Sequence, residues 1–92
     1  MRYSIYELVH KVILPWMPGY QAIQDSQLGA VWHLRKSDKG RAVGGMTYDY
    51  DYGLRIRLED PELTKELKAL ILINNLEDTV SVYCNQPRAL HD

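Results

Sequence analysis

Two periodicities divide the chain. Near its start Ile5, Leu8, Val9, Val12 and Ile13 recur at i, i+3, i+4, i+7 and i+8, one apolar stripe of an amphipathic helix. Ser4-Ile5-Tyr6-Glu7 precedes the stripe in the form of a capping box, in which the Ser4 hydroxyl and the Glu7 carboxylate each accept from the other residue's amide. Tyr3 and Leu8 stand where a hydrophobic staple would close. Pro15 lacks the N–H a further turn would need, and Pro18-Gly19 completes the break. The spacing predicts a first helix over Ile5–Leu14. A second helix opens at Asp60-Pro61-Glu62, with Asp60 as N-cap, Pro61 at the first helical position and Glu62 at the positive end of the dipole. Its stripe is Leu63, Leu67, Leu70 and Ile71, and Asn74-Asn75 ends it.

Between the helices the period changes to two, the signature of strands. Ala30, Trp32 and Leu34 alternate with Val31, His33 and Arg35. From Met46 to Leu58 every even position is large and mostly apolar, while the odd ones are Thr47, Asp49, Asp51, Gly53, Arg55 and Arg57. As one strand this run would be about 43 Å long at ~3.3 Å per residue. A domain of this length is about 30 Å across, so the run is read as a hairpin. Residues opposite each other in an antiparallel pair face the same side, so the loop must have an odd count. A three-residue loop Asp51-Tyr52-Gly53, with the glycine left-handed, satisfies this. It sets Tyr50 opposite Leu54, Tyr48 opposite Ile56 and Met46 opposite Leu58, committing Tyr48 and Tyr50 to the core. On the outer face it sets Asp49 against Arg55 as an ion pair, and Thr47 against Arg57. The same rule applied to Asp38-Lys39-Gly40 puts Leu34 opposite Gly44 and Trp32 opposite Met46. The Gly44-Gly45 pair then falls mid-strand, where it marks a bulge or a close approach of Leu34 or a second backbone.

Two weaker segments complete the pattern. Tyr20–Gln24 is a short edge strand followed by a turn at Asp25-Ser26-Gln27. Thr79–Cys84 is a final strand with Val80, Val82 and Cys84 on one side and Thr79, Ser81 and Tyr83 on the other. The expected fold class is α+β: a two-layer sandwich in which an antiparallel sheet of four to five strands carries two helices on one face, in the order α-(β)-β-β-β-α-β. One domain is expected over 1–84, with a flexible C-terminal tail over 85–92.

Composition narrows the function classes. The chain has 92 residues, 46% hydrophobic and 25% charged, with a net charge of −1, values ordinary for a water-soluble domain. Whole-surface attraction to nucleic acid or anionic lipid is not expected at that charge. The charge is uneven, however. Residues 35–57 hold six Lys/Arg against three Asp, and residues 58–92 hold seven Asp/Glu against three Lys/Arg. The single cysteine, Cys84, excludes an internal disulfide, and no signal-like or membrane-length apolar run is present. The expectation is a cytoplasmic protein, not associated with a membrane.

Candidate chemistry is sparse. Glu7-x-x-His10 has carboxylate–histidine spacing but occurs once, where helical metal sites need it twice with further carboxylates. His33 is expected on the outer face beside Val31, Arg35 and Thr47, with no nucleophile at hand. Cys84 beside Val80 and Val82 is read as a small apolar core residue. No catalytic residue, metal ligand or cofactor site is assigned, and the chain is expected not to be an enzyme.

What remains is recognition. There are seven Tyr, two Trp and no Phe, so every ring carries a polar handle, a type enriched at interfaces. The expected function is a small protein-binding module of inhibitor, antitoxin, immunity or accessory-subunit type. Its predicted partner-binding residues are Tyr52 and Asp51 at the hairpin tip, Arg55 and Arg57 on the outer sheet face, and Trp16 after the first helix, with neighbouring Met17. The alternative is a nucleic-acid-binding module using Arg35, Arg41, Arg55 and Arg57, with Lys36 and Lys39 close by. An open sheet edge would also permit a homodimer.

Overall fold

Side-chain alternation puts Trp32, Leu34, Met46, Leu54, Ile56 and Leu58 on one side of the strands, and the structure buries all six in a single core. A computed structural model describes residues 3–85. The expected tail lies, from residue 86 onward, outside the described residues. The fold is α+β, with two helical segments and a five-stranded, mostly antiparallel sheet in the order α-β-β-β-β-α-β.

The first helical segment is longer and less regular than its stripe suggests. It starts as α1 (Ile5–Glu7), capped by the Ser4–Glu7 box. It widens into a π-helix over Leu8–Ile13 and closes with a 3-10 turn, Leu14–Trp16. The amide of Leu14 donates to the carbonyl of Val9, five residues back. The widening lies directly before Pro15, whose ring would press on the Lys11 carbonyl in a regular α-helix. Pro15 therefore does not end the helix at Leu14; it is absorbed in the last turn. The wider turn also rotates the buried stripe. Leu8, Val9, Ile13 and Met17 are buried, while Ile5 and Val12 are only partly so.

The sheet order is β1 (Tyr20–Gln24), β2 (Val31–Lys36), β3 (Ala42–Asp49), β4 (Gly53–Leu58) and β5 (Val80–Cys84), so β1 and β5 are the outermost strands. β2 and β3 pair as the alternation predicts, with Trp32 against Met46 and Leu34 against Gly44. The register then slips at a bulge, so that Arg35 faces Ala42. Gly44 explains why a side chain is excluded there: a Cβ would run into the Arg57 backbone carbonyl.

The β3–β4 hairpin keeps the predicted faces but not the predicted partners. Met46 pairs with Ile56, Tyr48 with Leu54, Thr47 with Arg55 and Gly45 with Arg57. The loop is Tyr50-Asp51-Tyr52, two residues out of the expected register. Tyr50 is not a core residue; it is 91% exposed. Asp49 makes no ion pair with Arg55. Its Oδ1 instead accepts from the amides of Asp51 and Tyr52, an Asx turn that starts the reversal one residue earlier and so shifts the pairing by two. Gly53 has φ +77° and packs its Cα against the Thr79 carbonyl, where a Cβ would clash.

The second helix, α2 (Pro61–Ile73), follows the sequence closely, with Asp60 Oδ1 accepting from the Glu62 and Leu63 amides. The chain turns at Asn75, which has a positive φ of 58°. β5 then pairs parallel to β4, Ile56 against Val82. This one strand departs from the antiparallel pairing of the others because α2 carries the chain back along the sheet before it re-enters, and a helical crossover joins parallel neighbours. Both helical segments pack on the same sheet face: Leu8, Val9 and Ile13 from the first and Leu63, Leu67 and Ile71 from the second meet the strand side chains. Each fully buried aliphatic side chain contributes about 1.5–3 kcal/mol. Among the described residues no helix is long and apolar enough to cross a membrane.

Gly44→Ala is expected to lower stability by about 1–3 kcal/mol, because the Arg57 carbonyl it meets is backbone and cannot swing away. Urea denaturation checks this: the midpoint should fall with the slope unchanged. An unshifted midpoint would show that β3 and β4 are not in this register.

Candidate functional site

With the helices on one face, the other face of the sheet is left to solvent. Register aligns a row across all five strands: Ile23, His33, Gly45, Arg57 and Tyr83. A second row holds Val31, Thr47, Arg55 and Ser81. Gly45 sits at the centre of the first row. Having no side chain, it leaves a hollow of about 190 Å3 walled by His33, Thr47, Arg55, Arg57 and Tyr83.

The charged groups around this hollow differ in how they are held. The Arg57 guanidinium lies across Gly45, with Nη2 3.1 Å from the position a Cβ would take. Arg55 lies over the Tyr52 ring, 5.5 Å from its centroid, a cation–π contact worth about 0.5–1 kcal/mol at an exposed site. Among the described residues neither arginine has a carboxylate partner. His33, by contrast, is paired with a carboxylate. Its Nε2 is 2.8 Å from Asp25 Oδ2. Asp25 Oδ1 also accepts from the amides of Gln27 and Leu28, forming the turn expected at 25–27. The His33 contact and these two amides together pull the Asp25 carboxyl from 3.8 to about 2.

The predicted site residues therefore fall into two groups. Tyr52, Asp51, Arg55 and Arg57 come together, the first two at the hairpin tip and the others on the sheet face behind it. Trp16 does not join them; it packs on the core from the helix side, and neighbouring Met17 is fully buried. Of the further arginines, Arg35 donates to the Gly40 carbonyl and Arg41 pairs with Glu59 at 2.8 Å. Arg41 holds the Glu59 carboxyl below its ordinary range. Lys36 turns to the other face and sits over Tyr20. Cys84 is exposed rather than part of the core, with Sγ directed at the Glu59 carbonyl. It lies at the end of β5.

Three residues of this face were missed by sequence reasoning. Tyr50 was lost to the register slip. Tyr83, 49% exposed, was placed on the right side of its strand, but only the parallel pairing brings it beside Arg57. At Gly45 the sequence points only to a backbone feature, and the hollow depends on side chains brought in from β2, β4 and β5. Among the described residues no three His, Cys, Asp or Glu side chains gather to hold a metal ion. Ser4 and Glu7 are occupied with each other, and His10 stacks against Tyr6 at 4.4 Å. Comparison of the chain with protein-family models, with curated proteins and with solved structures finds no match.

The Asp25 carboxyl binds its proton less readily in the folded protein than in the unfolded chain. Its contacts thus stabilise the fold above about pH 4, and that stabilisation is lost as pH falls through about 2. Asp25→Asn should lower the urea midpoint at pH 7, and the gap to the unmodified protein should close on acidification toward pH 2. A gap constant with pH would show that the carboxylate charge plays no part.

Proposed function

We propose that this chain is a non-enzymatic module that binds a protein partner, of inhibitor, antitoxin, immunity or accessory-subunit type. The observation that carries the reading is the continuity between the hairpin tip and the basic sheet face. Tyr50 and Tyr52 are 91% and 69% exposed, and Arg55 joins Tyr52 to the arginine-lined hollow. Large amphipathic rings with adjacent arginine are the residue types that carry most binding energy at protein interfaces. The Asx turn at Asp49 holds the tip without help from a partner, so less ordering entropy is lost on binding. The face that would dock is basic, so the partner surface is expected to be acidic.

A second reading rests on a specific observation: Tyr52 and Tyr83 accompany Arg55 and Arg57 on the same side. Rings and cations on an open sheet suit single-stranded nucleic acid. The net charge of −1 argues against it.

Affinity capture from the source cell, followed by titration calorimetry with the identified partner, tests the first reading. Tyr50→Ala and Tyr52→Ala should each leave the fold intact and weaken binding by at least about 1 kcal/mol. Neutral effects of both would remove the tip as the site. Titration with a single-stranded oligonucleotide across a range of salt separates the readings. Steep loss of affinity with salt would support nucleic acid, and no binding near physiological salt would discard it.

A further inference from the structure

We propose that the hollow above Gly45 is an oxyanion subsite, in which Arg57, assisted by Arg55 and Thr47, receives one carboxylate or phosphate group of a binding partner. The inference rests on the sheet-face reading above and specifies the chemistry that face recognises.

Four observations carry it. The first is the glycine. Gly45 is central to a row of five strands, and the nearest atoms to its missing Cβ are the Arg57 guanidinium and the Trp32 carbonyl. Unlike Gly44, it faces no backbone atom closer than 3.4 Å. A larger residue would fit the strand and fill the hollow, so backbone packing does not require glycine here.

The second is the state of Arg57. Its side chain lies along the sheet and is half-buried, yet among the described residues it has neither an ion pair nor a side-chain hydrogen bond. A guanidinium held down in this way presents a planar fork suited to two parallel bonds with an oxyanion. The third is the surrounding charge. Acids around this face are already engaged: Asp25 by His33 and two amides, Asp49 by the amides of Asp51 and Tyr52, and Glu59 by Arg41. Arg55 is adjacent on the same face and adds a second positive charge, and Thr47, its cross-strand partner on β3, lines the hollow and offers a hydroxyl as a further donor.

The fourth is size. About 190 Å3 is below the roughly 300–1,000 Å3 of pockets that enclose whole small molecules. It has room for one functional group presented by something larger, and Tyr83 at the rim supplies an apolar wall for the atoms behind that group.

Nitrogen-15 NMR of the full chain, titrated separately with sodium phosphate and sodium acetate at constant ionic strength, tests this without a protein partner. Saturable shifts are expected at the Gly45 and Thr47 amides and at the Arg57 Nε–Hε, with the Tyr50 amide unmoved. Saturation by phosphate alone assigns a phosphoryl group, and saturation by acetate assigns a carboxylate. Binding should weaken at least tenfold in Arg57→Ala and in Arg57→Lys, which keeps the charge but loses the fork. Gly45→Val should abolish it by filling the hollow, with a native spectrum elsewhere. Drift no different from that in sodium chloride, or saturation that survives Arg57→Ala, would overturn the subsite. Failure here leaves the hairpin-tip reading standing, since Tyr50 and Tyr52 lie outside the hollow.

Discussion

The structure depends on covering one face of the sheet and leaving the other bare. Leu34, Met46, Leu54, Ile56 and Leu58 are withdrawn from water by Leu8, Val9 and Ile13 on one side and Leu63, Leu67 and Ile71 on the other. Two helical segments suffice to close this layer because the strands alternate outside the β3 bulge, so no large core side chain of β2 to β5 is left on the outer side. The same alternation directs His33, Thr47, Arg55, Arg57 and Tyr83 outward. The candidate site is thus the other half of the pattern that builds the core.

Close backbone contacts then fix how the strands lie. At Gly44 the neighbouring chain is β4, and at Gly53 it is the residue leading into β5. The Leu54 amide donates to the Thr79 carbonyl at 2.8 Å, beside Gly53. These approaches lock β3, β4 and β5 side by side, which brings Gly45, Arg57 and Tyr83 into one row. A register change of two residues would leave the core apolar and yet scatter the hollow. The grouping of side chains on this face therefore depends on the register.

Charge is sorted in the same way. The acidic stretch from Glu59 onward begins at the end of β4 and continues through α2, the helix covering the inner face. The arginines of β4 project from the opposite face. A chain of nearly neutral net charge can in this way present a locally basic surface.

The helix starts at Ser4 and Asp60, the strand order of side chains, and the inward commitment of Trp32, Met46 and Ile56 were all legible in the residues, because capping and period-two alternation act over a few positions. The partners of those strands were legible only in part. Side-chain direction repeats every two residues, so a two-residue slip preserves the face of each residue that stays within the strands and is invisible to pattern reasoning; only Tyr50, moved into the loop, changes sides. The choice was made by the Asp49 carboxylate, which caps the turn amides, and by Gly53 against Thr79. Length did not decide it, since the molecule's long axis of 44 Å would have held the unbroken strand. Likewise the parallel placement of β5, and with it the meeting of Tyr83 and Arg57, followed from where α2 returned the chain. The sequence by itself determined where the elements lie and the face most strand side chains occupy, since both are set by local periodicity. Which residues stand beside one another on the exposed face was decided by the tertiary structure, through contacts between segments far apart in the chain.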